Sequence, residues 1–156
     1  MKRNAGVLLA GLGLMGAAFG VVQQAGATLG GSAASVTTDR KSLSAVRGAT
    51  TVQPGYTVQE IVSDATHVRE YVSPGGIVFA IAWNGFTPPD LTSLLGSYAA
   101  EYQQALQDTP RHTGMRHQHV EGKRVVVEKW GHMRNLQGRA YVPALVPSGV
   151  SLDEIK

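Results

Sequence analysis

The chain of 156 residues has no cysteine. Disulfides, thiolate nucleophiles and cysteine-ligated metals are therefore excluded, as is a lipoprotein anchored through a cysteine behind its leader; the redox compartment stays open. A marked excess of either charge is missing too. Only 16% of residues are charged, and apart from Lys2 and Arg3 there are 12 basic against 11 acidic side chains, which gives no ground for expecting nucleic acid. No serine sits between glycines at a strand-to-helix elbow, the arrangement that exposes a hydrolase nucleophile. There is no internal repeat and no low-complexity linker. What is present, an apolar fraction of 43% with 19 glycines, fits one domain.

Residues 1–27 read as a secretory leader. Lys2 and Arg3 open it, Ala5 to Val22 is apolar and uncharged, and Ala25-Gly26-Ala27 offers the small-x-small cleavage pattern. Retention as a membrane anchor is the alternative, but five glycines in that stretch weaken hydrophobicity and helix propensity. Gly11-Leu12-Gly13-Leu14-Met15-Gly16 matches the dinucleotide fingerprint by letter only, since the fingerprint belongs inside a βαβ unit with an acidic residue about 20 positions on. The expectation is a cleaved signal, export to the periplasm or beyond, and no stable membrane span after cleavage.

In residues 28–49, Leu29, Val36 and Leu43 are spaced for a short helix, and a flexible segment is equally compatible. The domain itself is expected over 50–147, with 148–156 as a tail. Its centre is Thr66 to Trp83. His67, Arg69 and Tyr71 alternate with Val68, Glu70 and Val72, the mark of a strand with one wet face. Ile77 to Trp83 carries no polar side chain and predicts a strand covered on both faces. Pro74-Gly75 supplies the turn between them, with positive φ expected at Gly75. Residues 56–83 thus predict a three-stranded antiparallel meander. Short runs at 50–54, 123–130 and 139–146 add strands, although Pro143 argues for an edge or a break in the last.

Between the two groups of strands the spacing predicts a helix. Thr87 is placed to cap it, Pro88 to open it and Asp90 to favour its third position. Leu91, Leu94, Leu95, Tyr98, Tyr102, Ala105 and Leu106 then form one apolar stripe, with Ser93, Ser97, Glu101, Gln104 and Gln107 opposite. Val78, Ala80 and Ala82, the small side of the apolar strand, are the expected platform. The fold class is α+β: an antiparallel sheet of about four to six strands with one main amphipathic helix packed on it.

Three constellations carry chemistry. His112, His117 and His119 form a candidate metal site, because two residues apart on a strand point the same way and imidazole suits Zn²⁺, Cu²⁺ or Ni²⁺; the bland reading is a His-rich solvated strand. Residues 111–139 hold seven Lys or Arg against Glu121 and Glu128, while 50–110 hold Arg69 against six acids. The basic part suits an anionic partner, or simply complements the acidic half. Glu60 and Glu70 are a possible carboxylate pair across adjacent strands, though no set of residues meets the roles a hydrolase needs.

Four blocks carry a resemblance: TLGG at the mature start, REYVSPGGIVFAIAW, PPDLTSLLGSY and GHMRNLQGRAYVPALVPSGVS. In this order, over Thr28 to Ser151, they resemble an uncharacterised family of short exported bacterial proteins, domain of unknown function 2844. The resemblance implies export and one small domain, and it brings no activity, cofactor or catalytic residue. The polar block 131–147 suggests His132, Arg134, Arg139 and Tyr141 as a partner-binding surface; the competing reading is a loop held by a buried arginine. The expected function is a non-enzymatic binding or accessory protein that uses no cofactor and meets an envelope protein or other ligand. Metal binding through the histidines and a hydrolase with an unrecognised site are the alternatives.

Overall fold

The centre of the molecule is the apolar strand that the sequence marks out. In a computed structural model, which describes residues 28–33, 46–110 and 116–156, Val78 through Trp83 are all buried. The strands are β1 (Val46–Gln53), β2 (Tyr56–Val62), β3 (Thr66–Val72), β4 (Val78–Gly85), β5 (His117–Glu121), β6 (Val126–His132) and β7 (Asn135–Tyr141). They form one antiparallel sheet in the order β1-β2-β3-β4-β7-β6-β5. The α+β class and the meander over β2 to β4 stand, but seven strands exceed the expected four to six. The extra one is β5. Its sequence, HQHVE, places only Val120 in the core, so it shows no alternation to read. The final strand is 135–141 rather than 139–146, because Pro143 starts a 3₁₀ turn instead of pairing.

The helical run comes in two pieces, α1 (Leu91–Leu95) and α2 (Ala99–Asp108), joined by a 3₁₀ turn at Gly96–Tyr98. Gly96 adopts φ 51, which closes α1, and a Cβ there would lie 2.5 Å from Thr28. The cap is Asp90, not Thr87. Its carboxylate accepts from the Thr92 amide at 2.9 Å and from Ser93 Oγ at 2.6 Å. Pro89 explains the shift, since a residue ahead of proline is driven out of the helical region and Pro88 cannot open the helix. In the hairpin turn the positive φ likewise falls on Gly76 instead of Gly75, with the Gly76 amide bonded back to the Ser73 carbonyl at 2.8 Å.

All seven stripe residues pack on the inner face of the sheet, with Leu94, Leu95 and Tyr102 fully buried. Their platform on β4 is Val78 with the bulky Ile81 and Trp83, while Ala80 and Ala82 of the expected small side face the other way. The cause is a bulge. Tyr71 pairs with Ala80 and Val72 with Val78, so Phe79 is extra and shares the outer face with Ala80. Trp83 lies under β7, where a Cβ on Gly138 would stand 2.3 Å from its ring. Burying Leu94, Leu95 and Trp83 contributes on the order of 1.5–3 kcal/mol each before entropy is counted. Glu101, expected in water, receives the β5–β6 turn: it accepts from Arg124 Nε at 2.9 Å and from the Val125 amide at 3.3 Å.

The segment 28–33 and the last residues of the chain both close on this frame. Leu29 is buried, and Thr28–Ala33 lies against the start of β4 through Gly30 N to Val78 O at 2.8 Å and Val78 N to Gly31 O at 2.9 Å. Val36, Leu43 and the expected leader 1–27 lie outside the described residues. The last residues, read from sequence as a tail, turn back across the outer face and bury Ile155.

Candidate functional site

Register sorts the outer face into three rows that cross five or six strands. The lower row is Val58, Tyr71, Ala80, Tyr141, Val126 and Glu121. Ile155 sits on it in a cluster with Tyr56, Tyr71, Phe79 and Tyr141, and the rings of Tyr56, Tyr71 and Phe79 stand 5.8–6.2 Å apart. The middle row runs Glu60, Arg69, Ala82, Arg139, Glu128 and His119. The upper row is His67, Asn84, Gln137, Trp130 and His117. No described segment roofs that row, and its five side chains are partly or fully exposed.

The middle row works for the fold. Arg139 donates through Nε to Glu128, and through Nη1 to the Leu152 and Ile155 carbonyls, so it clamps the C-terminal turn. Glu128 also meets His119 Nδ1 at 3.0 Å. Burial works to raise the Glu128 carboxyl, but the hydrogen bonds and charges of Arg139 and His119 outweigh it and hold it below the usual range. Tyr71 Oη accepts from the Lys156 amide at 3.1 Å, and Tyr56 Oη donates to Glu154 at 2.7 Å. That bond, then burial and the Glu154 charge, push the Tyr56 phenol up to about 12. Burial does most to raise the Tyr141 phenol as well.

The upper row is built differently. Arg69 Nη2 donates to Asn84 Oδ1 at 3.1 Å, and Trp130 Nε1 donates to Gln137 Oε1 at 3.2 Å. Arginine and tryptophan only donate, which fixes each amide oxygen on its donor and turns each NH₂ group away from that donor. Among the described residues no carboxylate lies within 4.0 Å of the Arg69 guanidinium, and its Nε is buried without a hydrogen-bond partner.

Of the residues singled out by sequence, Arg139 and Tyr141 stand side by side on the outer face, taken up by internal contacts, with the Arg139 guanidinium 5.9 Å from the Tyr141 ring centroid. His132 and Arg134 are exposed at the far β6–β7 turn. Arg134 holds φ 71, the one positive φ outside glycine among the described residues, and its neighbour Met133 is 88% exposed. His117 and His119 share the outer face as their spacing implies, whereas His112 lies outside the described residues. Among the described residues no three His, Asp or Glu gather as a metal site. Glu60 and Glu70 do not form a couple. Glu60 pairs with Arg69 in register and faces outward, while Glu70 pairs with Ile81 and is wholly buried on the inner face. Sequence reasoning missed Asn84, Gln137 and Trp130, which only the β4–β7–β6 pairing brings together.

A family model described as protein of unknown function (DUF2844) matches residues 25–155. The chain belongs to this family. No curated protein and no solved structure matches it. Membership in DUF2844 assigns no role to the rows. Among the described residues, no helix is long and apolar enough to cross a membrane.

Proposed function

We propose that this DUF2844 chain is an exported, non-enzymatic binding protein of the cell envelope, with the unroofed part of its outer face and the adjoining His132–Arg134 turn as the binding surface. One observation carries the reading: the upper row is open, yet its three central side chains are held in place, Asn84 by Arg69 of the middle row and Gln137 by Trp130, as in a surface ordered before it meets a ligand. The Arg134 turn adds to it. Asn or Gly adopts positive φ at less cost in such a two-residue turn, so an arginine there is a backbone strain the fold does not need. The charged start, apolar stretch and Ala25-Gly26-Ala27 of the leader support export. Arg139 and Tyr141 then act by holding the C-terminal turn behind the surface.

The test is capture from the envelope of cells that express the protein. A single dominant component should crosslink to the wild type and be lost on changing His132 and Arg134 to alanine, with unchanged urea midpoint. No component retained, or one retained equally by the variant and by a chain also altered at Asn84 and Gln137, overturns the surface.

A further inference from the structure

The upper row has a chemical bias that the proposed binding function does not by itself require. Its fixed groups are donors. The Asn84 and Gln137 oxygens are consumed by Arg69 and Trp130, so what the two central residues have left to offer is NH₂, flanked by a guanidinium with no carboxylate of its own within 4.0 Å among the described residues. A ligand for such a row must be rich in acceptors and carry negative charge.

Dimensions and charge density narrow the class. At about 4.8 Å per strand the row from His67 to His117 runs about 19 Å, which suits an extended polymer better than a single small anion. Nucleic acid carries a phosphate charge every few ångströms and is held by many cations at once. Here, among the described residues, Arg69 is the one guanidinium of the middle and upper rows with no carboxylate within 4.0 Å, Glu60 is its register neighbour, and Glu128 is taken up by Arg139. Low charge density is therefore favoured. Trp130, half-buried with its ring edge tied to Gln137 and the Arg139 guanidinium 5.9 Å from its centroid, leaves the exposed part of its indole for the apolar face of a sugar ring.

We infer that the upper row, Asn84, Gln137 and Trp130 with Arg69 behind them, binds an acidic polysaccharide: a chain of sugars carrying spaced carboxylates. The inference rests on the binding reading above and gives it a ligand class. Arg69 meets a carboxylate, the amide NH₂ groups donate to carboxylate or ring hydroxyl oxygens, and Trp130 takes the ring face.

The probe is polygalacturonate, with uncharged dextran and a poly-dT oligonucleotide beside it, tested by affinity electrophoresis and calorimetry on the protein in the form the cell leaves after export. Polygalacturonate should retard the wild type and the others should not, and salt should weaken the retention. The decisive variants are N84D and Q137E, singly and together. Each keeps an oxygen for Arg69 or Trp130 and replaces the NH₂ by an oxygen, so the fold is spared while donors become acceptors. The double variant should bind at least tenfold more weakly. Equal binding by the double variant, equal retardation in dextran, preference for poly-dT, or no retention of the wild type by polygalacturonate overturns the inference. Should the double variant unfold in urea early, Q137E alone carries the same test. If polygalacturonate fails while the envelope component is still captured through His132 and Arg134, the ligand class is wrong and the binding surface stands.

Discussion

The two halves of the outer face are one surface with opposite fates. Below, Tyr71, Ala80, Tyr141 and Val126 are roofed by the chain's own C-terminus, with Ile155 pressed into the rings. Above, four residues along the same strands, Asn84, Gln137 and Trp130 have no roof among the described residues. Arg139 is the border, since it holds Glu128 on one side and the C-terminal carbonyls on the other. The lower half is solved as folding problems are, by burying apolar area. The upper half leaves donors on an unroofed surface, which contributes little to stability and suits recognition.

If that contrast is right, damage below should cost stability and damage above should not. Ile155→Ala is expected to have the largest effect, about 2–4 kcal/mol lost in urea unfolding, because a wholly buried side chain leaves a cavity between aromatic rings. A loss under about 0.5 kcal/mol would mean that the C-terminal roof is dispensable. Arg139→Ala comes next, at about 2 kcal/mol, since it strands a largely buried Glu128 carboxylate. The double variant R139A/E128Q should recover part of that loss, and a strictly additive cycle would show that the pair is not coupled. The acid limb should change with it. Glu128 sits below the usual carboxylate range, so its contribution is present above that range and is lost as pH falls through the lowered folded value. Arg139→Ala should flatten this limb.

How far the sequence could foresee this division depends on the kind of signal. Periodicity reads the inner face well: the stripe from Leu91 to Leu106 and the apolar run of β4 each announce their burial within one element. The same strand's Ala80 and Ala82 mislead, because they look like room for a helix when the Phe79 bulge gives them to Tyr71 and Tyr141. The upper row has no local signature at all. Asn84 and Gln137 are 53 positions apart and meet only because the chain crosses over to β5 and returns through β6 to lay β7 beside β4. Arg139 was legible as a candidate arginine, and its partners were not, since nothing in 148–156 says which strand it will lie on.

A third break in the contrast concerns Tyr56, which anchors the roof through Glu154. Tyr56→Phe should cost about 1 kcal/mol near neutral pH. The phenol is raised to about 12 in the folded protein, above its ordinary 10, so its contribution is complete below pH 10 and is lost as pH rises from 10 to 12. Stability measured across that window should fall for the wild type and fall less for the variant. Parallel curves would show that the Tyr56–Glu154 bond does not hold the roof.

The smallest effect is also the sharpest, because its sign differs. Asn84 accepts from the Arg69 guanidinium, and a carboxylate in its place would accept more strongly and would pair the one guanidinium of the outer face that has no carboxylate within 4.0 Å among the described residues. Asn84→Asp should therefore leave the fold intact and raise its stability by about 0.5 kcal/mol in urea, with the gain shrinking at high salt. A residue whose simplest acidic replacement stabilises the fold is held there for something other than folding, and here the thing the replacement removes is the NH₂ donor. If the substitution instead destabilises by more than about 1 kcal/mol, the upper row is part of the packing after all, and the two halves of the face differ in polarity but not in purpose.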